Sequence, residues 1–315
     1  MRNLRILSRN DTDSIVIHFG KSFYNIIIDY LNIASQRWKL SYFQLVPSYS
    51  RNAVFFCRSA IYGNCVLKIE RPNLKQSYAL TEYRFLREYD NKIFCKVFDM
   101  DEDRKIILEE LVFPGSTLWS VQSRNTRIDV FCSLYKDLHK SYPITGAAIF
   151  PTYNEWLNDR IAFMKLKNIN SKLLGKLIAA RDIYSSVSAI YSRRRLLHGD
   201  IHNDNILIDQ SGKYKIIDPK GVIGDPVMDI SRFILEEFRD TFAWNDCEEI
   251  LHIIKILSKR LDYPDYILIQ CLYVEVAIWA CWNLQDGETL QDVEYLSNNL
   301  TVLEAIAVDR GYTVH

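Results

Sequence analysis

Between residues 198 and 221 the chain sets its densest run of polar and small residues around a short β-hairpin, and this is the strongest constraint on the fold. His198-Gly199-Asp200-Ile201-His202-Asn203-Asp204-Asn205 leads in, and Asn205 to Ile208 reads as a strand. Gln210-Ser211-Gly212 supplies the turn, and Tyr214 to Ile217 returns to Asp218-Pro219-Lys220-Gly221. Antiparallel pairing places Asn205 opposite Asp218 and directs both toward Asp200. A carboxylate and an amide oxygen suit Mg²⁺, which takes one or two such ligands and fills its shell with phosphate oxygens and water. The hairpin therefore predicts a Mg-nucleotide site.

Upstream the pattern is of short alternating runs. Apolar residues at Phe23, Ile27, Leu31 and Ala34 recur at helical spacing. Strands are predicted over 42–46, 53–57 and 65–69, the last two joined through Gly63-Asn64, followed by a helix over 80–89 and strands over 95–100 and 105–108. Pro114-Gly115 breaks the pattern. Beyond it the chain reads as helical over 127–140, 153–165, 172–191, 227–239, 248–260, 266–284 and 290–308, the hairpin excepted. The expectation is an α+β chain of two lobes: residues 1–111 a small β-rich N-lobe, residues 112–315 a larger helical C-lobe carrying the hairpin, with a hinge near 109–116.

Composition narrows the function. Lys plus Arg (39) equals Asp plus Glu (39) in 315 residues, so net charge attracts neither nucleic acid nor an anionic membrane. The seven cysteines are scattered without a CxxC pair and read as reduced thiols of a cytoplasmic protein. No N-terminal apolar run precedes a cleavage-like site. Tyr266 to Trp282 is interrupted by Gln270 and Glu275 and is expected to be a buried helix, not a membrane span.

His198-x-Asp200-x-x-x-x-Asn205 with Asp218 beyond a hairpin resembles the catalytic signature of the protein-kinase-like fold. The His-Gly-Asp form is similar to the aminoglycoside phosphotransferase and choline kinase superfamily. Ile217-Asp218-Pro219-Lys220-Gly221 with Gly224-Asp225-Pro226 and Asp229 most resembles its aminoglycoside/hydroxyurea (streptomycin-type) resistance kinase branch. The resemblance implies ATP and Mg²⁺ as cofactors, Asp200 as catalytic base, Asn205 and Asp218 as metal ligands, Lys68 as phosphate ligand and Glu82 as its ion-pair partner. It further implies adenine recognition by backbone groups of Glu109 and Leu111, and a bracing role for His198 and Asp229. The loop from Pro47 to Ala53, where protein kinases carry glycines, has none; Ser50 and Asn52 are its candidate donors.

Other readings stand beside these. Glu70 and Glu88 rival Glu82 for Lys68. His198 and His202, four apart, would bind zinc on a helix, but Gly199 and Asn203-Asp204-Asn205 are poor helix formers. His202, Asn203, Glu236 and Glu275 are candidate acceptor contacts, although a helix carboxylate is more often solvated. Ten residues between Asp218 and Asp229 leave no room for a peptide platform, so the acceptor is expected to be a small hydroxyl-bearing molecule. A metabolite kinase acting on an amino alcohol or sugar, and a catalytically silent nucleotide-binding regulator, are the alternatives. Neither acceptor identity nor oligomeric state is legible.

Overall fold

The computed structural model describes residues 7–47, 52–72, 77–89, 93–141, 150–169, 171–191, 193–238 and 247–311. Residues 48–51 of the glycine-free loop lie outside that set. The chain divides into two compact units, residues 1–116 with 207–220, and residues 117–206 with 221–315. The hairpin assigned from sequence to the C-lobe thus groups with the first unit.

In the first unit, α1 (Arg9–Phe19) starts at Ser8, whose Oγ accepts from the Asp11 N–H at 3.0 Å. Gly20, at φ 84°, turns the chain into α2 (Lys21–Trp38). The stripe Phe23, Ile27, Leu31 and Ala34, extended to Trp38, is the buried face of α2. Five strands follow, β1 (Leu40–Leu45), β2 (Asn52–Ser59), β3 (Gly63–Glu70), and, after helix α3 (Tyr78–Glu88), β4 (Val97–Asp101) and β5 (Ile106–Glu110). They form one sheet in the order β1-β2-β3-β5-β4 with antiparallel neighbours. Ala53, Phe55 and Cys57 alternate inward along β2 and pack with Leu67 and Ile69. Pro114–Thr117, a break by sequence, is a short strand, β6, against which the hairpin later pairs.

Glu70 explains why α3 sits where it does. Its carboxylate accepts from the backbone N–H groups of Tyr78 (2.7 Å) and Ala79 (3.0 Å) and from the Ser77 hydroxyl (2.7 Å), fastening the helix N-terminus to the end of β3. One turn on, Glu82 is buried. Glu88 is exposed at the other end of α3.

The second unit begins with α4 (Arg124–Tyr135), capped by Ser123, then β7 (Lys140–Ser141), α5 (Tyr153–Leu166), α6 (Ser171–Ile190) and β8 (Arg195–Leu197). Thr152 and Glu155 make a reciprocal capping box at α5. Past β8 the chain passes through the hairpin strands β9 (Ile206–Asp209) and β10 (Tyr214–Ile216), which group with the first unit, and returns with β11 (Val222–Gly224), pairing with β8, and helices α7 (Val227–Glu236), α8 (Cys247–Leu261), α9 (Asp265–Asp286) and α10 (Glu294–Asp309). By length and composition α9 is apolar enough to cross a membrane, but 78% of its most apolar 18-residue stretch is buried, and the helix packs against α5, α6, α7, α8 and α10.

Gly199 closes the turn out of β8 at φ 75°, with an added Cβ falling 2.8 Å from the Trp156 ring and 2.9 Å from Val222. Both the dihedral and the space demand glycine. Gly199→Ala is expected to cost ~2 kcal/mol or more in urea-unfolding free energy.

Candidate active site

In the first unit a single ammonium is surrounded by acids. Lys68 points inward from β3, 5% exposed, and its Nζ lies 2.5 Å from Glu82 Oε1 on α3 and 3.2 Å from Glu109 Oε2 on β5. It also donates to Asp218 Oδ1 just past the hairpin. Burial alone would lower the Lys68 pKa, but Asp218, Glu109 and Glu82 hold it well above its ordinary value. Burial pushes Glu82 up, reinforced by Glu109, and pushes Glu109 up as well, with Lys68 opposing both. For Asp218 burial is outweighed by Lys68 and Lys220, which keep its carboxyl below the usual range. Asp218 has φ 62°, a left-handed conformation that Asp tolerates better than most residues. Its side chain is 41% exposed. An ionised, accessible carboxylate is a fitting donor for a hard cation.

The segment expected to form the hinge, 109–116, begins inside the sheet. Glu109 is an interior sheet residue, paired with Val66 and Val97, and its side chain faces Lys68. The Leu111 N–H is already donated to Asn64 O at a long 3.4 Å, so adenine would have to replace that bond.

In the second unit one carboxylate holds the segment between β8 and β9 in shape. Asp229 on α7 accepts from the backbone N–H of His198 (3.0 Å) and of Gly199 (2.8 Å), and His139 Nε2 lies 2.9 Å from the same carboxylate. His198 is fully buried, its Nδ1 accepting from the Asp200 N–H at 3.1 Å. That commitment removes it from any zinc pair with His202. Asn205 closes a 3-10 turn and donates through Nδ2 to the Asp200 carbonyl at 2.9 Å, so its amide oxygen is the atom that could meet a cation. Asn205 belongs to the second unit and Asp218 to the first.

Asp200 does not stand alone. Arg232 donates from Nε to Asp200 Oδ1 at 2.9 Å and from Nη1 to Glu236 at 3.0 Å, while its guanidinium lies 3.8 Å from the centre of the Trp279 ring. Glu275 Oε1 is 3.9 Å from the same guanidinium, and Glu275 Oε2 accepts from the Tyr153 hydroxyl. Against burial, Asp200, Glu236 and Glu275 raise the Arg232 pKa. Sequence reasoning missed Arg232, yet the signal existed: an Arg inside Ile230 to Leu235 of a wholly apolar helix face needs buried partners.

The candidate acceptor contacts lie deeper than solvated helix carboxylates would. Glu236 and Glu275 are both buried and bound up with Arg232, because an unpaired guanidinium could not be buried. Asn203 lies in the interior. It is fully buried, donating to Glu237 Oε1 at 2.7 Å, and Glu237 is itself paired with Arg127. His202 stays beside Asp200, Nε2 3.9 Å from Oδ1, with Nδ1 buried and without a hydrogen-bond partner among the described residues. Burial, then Arg232, lowers its pKa, so the ring is neutral at neutral pH.

A sequence model of the aminoglycoside/hydroxyurea antibiotic resistance kinases matches residues 37–287. The chain belongs to this family and is a phosphotransferase. Among curated relatives of the kinase, streptomycin 6-kinase of Streptomyces griseus is 24% identical over 288 residues, 86% of each chain, and that of Streptomyces glaucescens 24% over 241 residues, 72% of this chain and 73% of the relative. Choline kinase LicA from Streptococcus pneumoniae superposes with TM-score 0.62 at 14% identity over 89% of this chain and 99% of its own. Aminoglycoside phosphotransferase APH(4)-Ia, solved with ADP and hygromycin B, gives TM-score 0.60 at 13% identity, covering 86% and 96%. The protein-kinase-like fold expected from sequence is the fold of this kinase.

Burial raises the Glu275 pKa from 4.5 to about 7, with Arg232 and the Tyr153 hydroxyl opposing. The native state keeps a proton that the unfolded chain releases, so the stability this provides is complete below pH 4.5 and lost as pH rises through about 7. Glu275→Gln stays neutral throughout. Its melting temperature relative to wild type is expected to be more favourable at pH 8 than at pH 5.

Proposed function

We propose that this kinase is ATP- and Mg²⁺-dependent and transfers the γ-phosphate to a hydroxyl of a streptomycin-like aminoglycoside or of hydroxyurea. The observation that carries the reading is the buried Lys68, held by Glu82 and Asp218 in a chain of a known kinase family. Two curated relatives named streptomycin 6-kinase support the aminoglycoside, and the family description brings in hydroxyurea.

Phosphoryl transfer is mainly positioning and charge neutralisation. Lys68 binds the α- and β-phosphates, oriented by Glu82. Asp218 and Asn205 are the residues that would hold Mg²⁺, which when bound supplies charge neutralisation across the phosphates. Asp200 accepts the proton of the acceptor hydroxyl, and Arg232 fixes the carboxylate that does so. His202 offers its unpartnered Nδ1 to the acceptor. Glu236 and Glu275 act on the acceptor only through Arg232.

ADP release should be measured with streptomycin, hydroxyurea, choline and a sugar alcohol. Turnover with streptomycin or hydroxyurea is expected; a wide preference for choline or the sugar would move the acceptor while leaving the kinase chemistry. Asp200→Asn is expected to bind ATP normally and to lose ~10²-fold or more in kcat. Asp218→Ala is expected to lose the Mg²⁺-dependent part of ATP affinity in calorimetry with its thermal unfolding preserved, since Asp218 is partly exposed and outside the core.

A further inference from the structure

Three acids around one lysine is one more than holding it requires. The Lys68 ammonium donates to Glu82 and Asp218, and Glu109 stands against it at 3.2 Å as a third carboxylate. A phosphate oxygen can therefore approach Lys68 closely only if one carboxylate gives way. Glu82 is anchored through the α3 N-terminus and Glu70, and Asp218 sits at the accessible side of the cluster. Glu109 is different in kind. It is 2% exposed, projects from an interior strand, makes the longest of the three contacts, and its Oε1 is buried without a hydrogen-bond partner among the described residues.

An unpartnered buried carboxylate oxygen is costly and does nothing for the ladder of β5. We propose that the Glu109 side chain is an internal anion that occupies Lys68 in place of nucleotide phosphate, and so sets nucleotide affinity by competing for that lysine. This rests on the assignment of Lys68 as phosphate ligand and deepens it. When phosphate arrives, the Lys68–Glu109 contact is the one exchanged, and the carboxylate remains behind as a like charge beside the incoming anion. Both effects weaken binding of phosphates and neither touches the nucleoside portion.

The test is calorimetric titration of the full chain with ADP and with adenosine, in EDTA so that no metal contributes. Glu109→Gln keeps the shape and removes the charge; Glu109→Met removes the oxygens as well, and thermal unfolding checks that each folds. Both are expected to bind ADP about tenfold more tightly than wild type, with adenosine affinity unchanged. Glu82→Gln should go the other way, because it loosens the lysine itself. Equal or weaker ADP binding by both Glu109 variants while wild type binds ADP overturns the inference and leaves the kinase reading standing. An equal gain for adenosine also overturns it, since the effect would not concern phosphate. If neither wild type nor variants bind ADP, the nucleotide reading fails and takes this inference with it.

Discussion

A charge taken out of water has to be met by opposite charge and hydrogen bonds, or it does not stay ionised. Each unit is organised around one such buried cation. In the first, Lys68 requires that α3 and β5 bring Glu82 and Glu109 to β3, and that the chain after the hairpin deliver Asp218. Glu70 exists in this scheme as a helix anchor: by tying down the first N–H groups of α3 it fixes the azimuth at which Glu82 reaches the lysine. In the second unit, Arg232 plays the corresponding part with Asp200, Glu236 and Glu275, backed by the Trp279 ring.

The backbone between β8 and β9 obeys the same rule with dipoles in place of charges. Buried N–H groups must be satisfied, and the His198 and Gly199 amides are satisfied by one carboxylate, Asp229, presented from the first turn of α7. The Asp200 amide then goes to His198 Nδ1 and its carbonyl to Asn205. The three backbone N–H groups from His198 to Asp200 and the Asp200 carbonyl are in this way assigned before the carboxylate itself is considered, and Arg232 pairs with the carboxylate. In the role proposed for it, a carboxylate held from α7 and from both ends of its own segment loses little entropy on reaching its working geometry, which is what a reaction dominated by positioning needs.

Much of this was legible in the sequence because it is local. The run from His198 to Asn205 and the Asp218 and Asp229 positions are close along the chain, and the stripe on α2 repeats often enough to announce a helix. What was not legible depends on distant partners. Helix α1 buries only Ile15 and Phe19, too sparse a stripe to register. Strands β6, β8 and β11 run three or four residues, shorter than an alternation can be recognised. The inward face of Glu109 follows from its register with Val66, and the burial of Asn203 from a contact 34 positions away with Glu237. Where sequence reasoning set Glu236 and Glu275 between acceptor contacts and solvated carboxylates, it lacked the buried guanidinium of Arg232 that pairs with them.

The two clusters share a charge excess, one cation to three carboxylates, and relieve it differently. In the second unit the most enclosed acid, Glu275, has its pKa raised to about 7 and shares its other oxygen with the Tyr153 hydroxyl, so near neutrality the excess is partly removed by a proton. In the first, burial raises Glu82 and Glu109 together, while Lys68 and Lys220 hold the partly exposed Asp218 ionised. Burial thus opposes the charge of the enclosed acids, which Lys68 offsets, while the accessible one keeps its charge most readily. That ordering follows from solvation and from the two lysines together, since an ion is cheapest where water can still reach it or an opposite charge meets it. It leaves Asp218 and Asp200 as the carboxylates best placed to meet a ligand, and gives the more deeply buried acids the task of holding the cations that hold them.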